Sequence, residues 1–178
     1  MAPIDYKTAL HQKLGSLAAA DRMIAAVSDH GVMENLTYNY ATMRFGDTSA
    51  AHAVIKNIPS LVLAQDMIER VYKAATTDGL DIFDRKVLVS LAKEIGITDT
   101  CFDFDSPQIQ SKIVSDELEA NQIANGVPLF CFNNKMHLSG ARGVAGFEKV
   151  LLEAAATDLP VTREMGEGKS CGIDDSHR

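Results

Sequence analysis

The sequence contains no tryptophan, and none of its three cysteines lies in a Cys-x-x-Cys spacing. Cys101, Cys131 and Cys171 are far apart, and an odd number of scattered cysteines is typical of a protein from a reducing compartment without a disulfide framework. A Cys-x-x-Cys redox dithiol is therefore excluded from these residues. Free cysteines usually behave as small apolar side chains, so Cys101 and Cys131 are predicted to be packing residues.

The sequence also lacks an excess of positive charge, a membrane-spanning segment and a metal-binding motif. Its 17 Lys and Arg against 24 Asp and Glu give a net charge of −7, which argues against a nucleic-acid partner because phosphate binding needs a basic surface. No apolar run is long enough to cross a bilayer, and the N-terminus shows no secretory signal. The five histidines include no His-x-x-x-His or Glu-x-x-His pair, so no metal is expected. These features predict a cytoplasmic protein that binds neither membranes nor nucleic acid.

What the sequence does contain is a helical pattern over most of its first half. Residues 5–14 carry apolar side chains at helical spacing, and Gly15 is placed to end that helix. Ser16 can cap a second helix that Gly31 would stop, and residues 31–46 are predicted to be a loop. Caps and prolines predict further helices over residues 48–58, 60–78, 84–95, 106–123 and 143–156.

Strand-like sequence is found only at residues 127–132 and 136–138. Asn133 and Asn134 tolerate positive φ, which predicts a hairpin turn between the two strands. The first strand is apolar at nearly every position, so both of its faces are expected to be covered, with Cys131 packed inside. One partner strand leaves the other edge of Leu129–Phe132 unpaired, and such an edge invites pairing with another chain.

Two further residues have a structural and a functional interpretation. His52, on a capped helix, could line a ligand cleft, but a helix-surface or core-packing role is favoured. Asp84 could form a carboxylate pair with Asp81, but capping of the helix that follows explains Asp84 fully.

Four stretches, in this order, are similar to segments of a known family: Asp47-Thr48-Ser49-Ala50-Ala51-His52, Asp81-Ile82-Phe83-Asp84-Arg85-Lys86-Val87-Leu88, Gly126-Val127-Pro128-Leu129-Phe130 and Leu138-Ser139-Gly140-Ala141. Through them, residues 6–156 resemble the DsbA-like thioredoxin family. Within that family they resemble the branch of FrnE-type oxidoreductases and 2-hydroxychromene-2-carboxylate isomerases. The resemblance implies a mostly helical α/β protein with a truncated DsbA-like thioredoxin fold. Residues 4–100 would be a mainly helical insertion, residues 101–157 the C-terminal half (helix, β-hairpin, closing helix), and residues 158–178 a flexible tail.

The resemblance also implies where a substrate would bind. Val127 and Pro128 would form the family's cis-proline loop, which presents backbone to a bound thiol or peptide. The family's dithiol or serine nucleophile has no matching position in this sequence, so no catalytic residue is assigned. The tail resembles a C-terminal Cys-x-x-x-x-Cys of some FrnE-type members, with Cys171 present and Ser176 in place of the second cysteine. Cys171 is thus a candidate reactive thiol, although an unreactive exposed thiol is favoured because only Lys169 lies nearby to lower its pKa.

Three functional hypotheses remain open. The first is a thioredoxin-domain protein of the thiol-disulfide oxidoreductase superfamily with little or no redox activity of its own. The second is a glutathione-dependent isomerase or oxidoreductase whose site is completed by another chain. The third is a non-catalytic binding module that recruits a partner, or a second copy of itself, through the strand edge at Leu129–Phe132.

Overall fold

The computed structural model describes residues 2–99, 101–123 and 128–158. Within these residues the chain forms helices α1 (Tyr6–Leu14), α2 (Leu17–Met33), α3 (Ser49–Asn57), α4 (Leu61–Lys73), α5 (Arg85–Glu94), α6 (Pro107–Ile123) and α7 (Val144–Asp158). It also forms strands β1 (Ile4–Asp5), β2 (Arg44–Phe45), β3 (Leu129–Phe132) and β4 (Met136–Ser139), and a π-helical turn, Ala74–Asp78, continues α4. The architecture is a mostly helical α/β fold, as the sequence predicts.

The chain forms two compact units, Met1–Leu118, here called the helical unit, and Glu119–Arg178, here called the hairpin unit. In the described part of the chain, no helix combines the length and the apolar character that crossing a membrane requires.

Helix boundaries in the helical unit follow the local capping signals. The Asp5 carboxylate accepts a hydrogen bond from the Thr8 N–H at 2.8 Å, and α1 ends where Gly15 adopts φ +72°. Asp84 caps α5 in the same way, accepting from the Lys86 N–H at 2.8 Å. Both helices therefore begin and end where the sequence predicts.

Gly31 does not stop α2, contrary to the prediction. The helix continues to Met33, and Gly31 is buried within it. A Cβ atom at this position would lie 2.7 Å from Cε2 of Tyr38, so the missing side chain makes room for the tyrosine ring. The glycine is present for close packing with the following loop, not for a helix end.

The helical unit also contains a pair of strands that the sequence pattern does not reveal. β1 pairs with β2 in antiparallel register, Ile4 opposite Phe45 and Asp5 opposite Arg44. Two-residue strands are too short to show an alternating pattern, so the sequence predicts a helix from residue 5 and a loop over residues 31–46 instead. The Arg44 guanidinium also donates to the Pro3 carbonyl at 2.8 Å, which fastens the start of the chain to this segment.

The core of the helical unit lies among α3, α4 and α5. Its buried members are all apolar: Ala51, Val54, Ile58, Met67, Val71, Ala74, Ile82, Leu88, Leu91 and Ala92. Phe102 and Phe104 pack against this cluster from the segment before α6.

The hairpin unit is a two-stranded antiparallel sheet covered by α7. Asn133 and Asn134 both adopt φ 53°, and the Lys135 N–H donates to the Phe132 carbonyl at 3.0 Å. The turn thus uses the positive φ values that the two asparagines predict. Its register places Phe132 opposite Met136 and Phe130 opposite Leu138.

Candidate functional site

Pro128, one of the two predicted substrate-binding residues, precedes β3 and is exposed. Its carbonyl accepts a hydrogen bond from the Gly140 N–H at 2.9 Å, which closes the open end of the hairpin. Gly140 itself adopts φ +80°, a conformation that favours glycine over other residues. Val127, the second predicted residue, lies outside the described residues.

The hairpin packs against helix α7 through an aromatic pair and a side-chain hydrogen bond. The rings of Phe130 and Phe147 meet edge to face, with centroids 4.8 Å apart and an interplanar angle of 83°. At the turn, the Asn133 side-chain amide donates to the Ala154 carbonyl at 3.1 Å. Helix α7 therefore covers one face of the sheet along its length.

The opposite face of the sheet is exposed, contrary to the prediction that both faces are covered. Cys131 is exposed, because alternate side chains of a strand point to opposite faces and Phe130 and Phe132 take the face towards α7. The prediction that Cys131 is a packing residue is therefore wrong. Cys101 is also exposed, so the same prediction fails for it.

The strand register brings a histidine next to this exposed thiol. Cys131 and His137 are directly opposite partners on β3 and β4, and both are exposed. Directly opposite residues of an antiparallel pair have neighbouring Cβ atoms, so the two side chains share one surface. Sequence reasoning missed His137, although counting outward from the turn at Asn133 and Asn134 leads to this pair.

Within the described residues, neither outer edge of the hairpin has a strand beside it. In residues 128–158, β3 pairs with β4 alone, so its outer backbone edge is without a strand partner there. The open edge of β3 is Leu129–Phe132, the edge that the sequence predicts, and β4 (Met136–Ser139) has an open outer edge as well. Open strand edges are sites for pairing with another chain.

Three other residues that the sequence singles out are Asp84, His52 and Cys171. Asp84 acts as a helix cap, as the favoured interpretation holds, and His52 is exposed on α3. His52 also contributes to the wall of a cavity in the helical unit. Cys171 lies outside the described residues.

Ionisable groups with perturbed pKa values lie in structural ion pairs and caps. Arg85 donates to both carboxylate oxygens of Asp105 at 2.7 and 2.6 Å, and this lowers the pKa of Asp105 and raises that of Arg85. The hydrogen bond from Lys73, supported by Arg70, lowers the pKa of Asp78. Each of these shifts is explained by pairing between neighbouring helices or turns.

The pKa values of Asp47 and Tyr40 are also shifted. The Ser49 hydroxyl donates to Asp47, which lowers the pKa of that carboxyl, and burial raises the pKa of Tyr40. Across the described residues, no group of three His, Cys, Asp or Glu side chains is placed to hold a metal ion. These shifts identify no acid–base pair in either unit.

The amino-acid sequence was compared with models of known protein families. The family model of the DsbA-like thioredoxin domain matches residues 5–152. The chain belongs to the DsbA-like thioredoxin domain family. Its helical unit and hairpin unit are thus parts of a DsbA-like thioredoxin fold.

A solved structure shows the same fold. The crystal structure of a probable DsbA oxidoreductase from Streptomyces coelicolor superposes with a TM-score of 0.77 and 22% sequence identity. The match covers 98% of this DsbA-like chain and 78% of that chain. Among curated proteins, no match was found.

Proposed function

We propose that this chain is a DsbA-like thioredoxin-domain protein that binds a thiol or peptide substrate and has little or no redox activity of its own. The observation that carries the proposal is the absence of any Cys-x-x-Cys in a sequence of 178 residues with a DsbA-like fold. Dithiol exchange requires an attacking and a resolving sulfur close together. The proposal concerns the chemistry that these residues supply by themselves.

The four matching stretches support a place in the FrnE and 2-hydroxychromene-2-carboxylate isomerase branch. The stretch that contains Asp84 forms the cap and first turns of α5, and the stretch from Leu138 to Ala141 forms the corner between β4 and α7. On this assignment, residues 4–100 form the inserted helical region and residues 101–157 the C-terminal half of the thioredoxin-like domain.

The proposed substrate-binding element is the segment Val127-Pro128. Exposure of Pro128 immediately before β3 supports it, because a bound thiol or peptide can contact the segment there. Cys171 is retained as a candidate for a mixed disulfide. A cytoplasmic location is part of the proposal, and the odd, scattered cysteines support it.

The expected result of a redox assay is no turnover. In insulin reduction with dithiothreitol, the purified chain should give the rate of buffer, because none of its three cysteines has a second cysteine at Cys-x-x-Cys spacing to resolve a mixed disulfide. Replacement of all three cysteines by serine should leave that rate unchanged. A dithiol thioredoxin at equal concentration serves as the positive control.

Two results, one from this assay and one from a thermal-unfolding measurement, would count against the proposal. Turnover above buffer that the cysteine-free variant lacks would show autonomous thiol chemistry. A rise of the melting temperature with millimolar glutathione would instead favour the glutathione-dependent alternative, since a ligand that binds the folded state stabilises it by mass action.

A second function is favoured by the open edge of β3. We propose that Leu129–Phe132 pairs with the same segment of a second copy, which gives a homodimer through strand addition. The edge presents backbone donors and acceptors that have no strand partner within residues 128–158.

The dimer proposal is tested by a charge on this strand. In the register that pairs residue 131 with residue 131 of the second copy, Cys131→Lys should weaken the dimer by about tenfold or more, because two like charges would lie directly opposite each other. Sedimentation velocity over a concentration series measures the dissociation constant. Phe130 is unsuitable for this test, because its ring packs on Phe147 within the same unit.

His137→Lys is the matched control, since it places the same charge on the same face of the hairpin but on β4. The control should leave the dissociation constant near that of the unmodified protein. A monomeric unmodified protein, or equal effects of the two lysines, would remove the strand edge of β3 as the interface.

A further inference from the structure

The helical unit contains a cavity of about 520 Å³ that the proposed thiol chemistry does not use. It lies among the start of α1, strand β2 and helices α3 and α4. Its volume falls within the roughly 300–1,000 Å³ that is usual for small-molecule sites. All of its walls come from residues 6–116, so the site is complete within one unit.

The inner wall of this cavity is aliphatic. The side chains that form it are Met43, Ala51, Ile55, Ile68, Val71 and Ile82. Several of them, including Ala51 and Val71, also belong to the core of the unit, so the wall is held in place by core packing. A ligand that fills this space needs an unbranched or compact aliphatic body.

Hydrogen-bond donors lie at the same cavity. His52 and Lys56 are one helical turn apart on α3, so they share one face of that helix, and Arg44 contributes from β2. Asp116 is the only acidic wall residue in the described part of the chain, and its carboxylate is already paired with Lys56 at 2.5 Å. The Lys56–Asp116 pair is neutral overall. Arg44 donates to the uncharged Pro3 carbonyl and keeps its positive charge, and His52 adds a further donor.

An irregular turn shapes one side of the cavity. Ala75 and Thr76 belong to both the cavity wall and the π-helical turn Ala74–Asp78. The Thr76 carbonyl accepts from the Asn39 N–H at 2.7 Å, so the turn is held by the loop before β2. π-helical turns occur often at functional sites, and here the turn places a small residue, Ala75, at the wall.

We propose that this cavity binds an amphipathic carboxylate with an aliphatic body, such as a medium-chain fatty acid. The aliphatic wall buries the chain, and the carboxylate lies among His52, Lys56 and Arg44. A carboxylate suits this rim because it only accepts hydrogen bonds, and the rim mainly donates them. An ammonium head group would meet two cations and a carboxylate that is already paired.

The test compares three probes with the same chain and different head groups: decanoate, decylammonium and decanol. Isothermal titration calorimetry of the full chain should give decanoate a dissociation constant about tenfold below that of either other probe. Equal or tighter binding of decylammonium or decanol would overturn the carboxylate assignment. The absence of binding by all three would overturn the site.

Two variants locate the binding. Ala75→Leu fills the cavity and should weaken decanoate binding by about tenfold or more, whereas Ala25→Leu makes the same change at an exposed position of α2 and should have no effect. His52→Ala should weaken decanoate binding about tenfold without changing decanol binding. His30→Ala, at an exposed position of α2, is its control.

His52→Ala keeps the proposal testable if Ala75→Leu fails to fold, because His52 is exposed and lies outside the buried core. Unchanged decanoate binding in a folded His52→Ala variant would contradict the proposed head-group position. A third result would also overturn the ligand proposal. If the unmodified protein binds no decanoate and is an oligomer that Ala75→Leu dissociates, the cavity belongs to a contact between copies.

Discussion

Leu88→Ala is expected to lower the free energy of unfolding of the helical unit by about 2–5 kcal/mol, one of the two largest effects expected for this chain. Leu88 is 0% exposed and lies in the core cluster with Met67 and Leu91. The substitution removes buried apolar surface and leaves a cavity that the surrounding helices fill only in part. Urea denaturation followed by circular dichroism measures the loss.

Leu61→Ala is the matched control for this prediction. The substitution removes the same atoms as Leu88→Ala, but Leu61 lies at the start of α4 and is 88% exposed. Because little apolar surface is lost there, its effect should stay within about 0.5 kcal/mol. If both variants lower the free energy of unfolding by a similar amount, Leu88 of α5 does not pack in the core.

Gly79→Ala is expected to cost about 2–4 kcal/mol, from two separate causes. Gly79 adopts φ +70°, a left-handed conformation that is unfavourable for any side chain. An added Cβ would also lie 2.6 Å from Oγ1 of Thr42 and 2.8 Å from its Cβ. Since Cβ atoms do not approach each other this closely, the loop that contains Thr42 must move.

Gly15→Ala separates these two causes. Gly15 has almost the same φ, +72°, but no atom lies within 4 Å of its added Cβ. Its substitution should therefore cost only the conformational part, about 1–2 kcal/mol. If thermal unfolding shows equal losses for the two alanine variants, the contact with Thr42 is not the source of the difference.

The stability of this scaffold and its chemistry are carried by different residues. Among the described residues, the buried core contains no polar or charged side chain, so the core itself supplies no acid, base or nucleophile. The groups that could act chemically, such as Cys131, His137 and His52, are exposed on the hairpin or on α3. Variants of these residues can therefore be tested for function without loss of the fold.

Much of the fold follows from local signals in the sequence. Asp5 with Gly15 delimits α1, Asp84 begins α5, and the two asparagines of the hairpin adopt positive φ as predicted. Caps and turns depend on residues two to four positions apart, so their physics is present in any short stretch of the chain. For the candidate site, the same signals placed Pro128 at the start of a strand, whereas Val127 and Cys171 lie outside the described residues.

The sequence by itself thus determined the order of the helices and the two strands of the hairpin, together with the lack of a Cys-x-x-Cys dithiol in these residues. Only the tertiary structure decided that Gly31 stays inside α2 beneath Tyr38, that β1 pairs with β2, and that Cys131 faces solvent beside His137. Each of these depends on a contact with another segment or on which face of a strand α7 covers. Local propensity carries no information about such contacts, because they are set by how separate elements pack together.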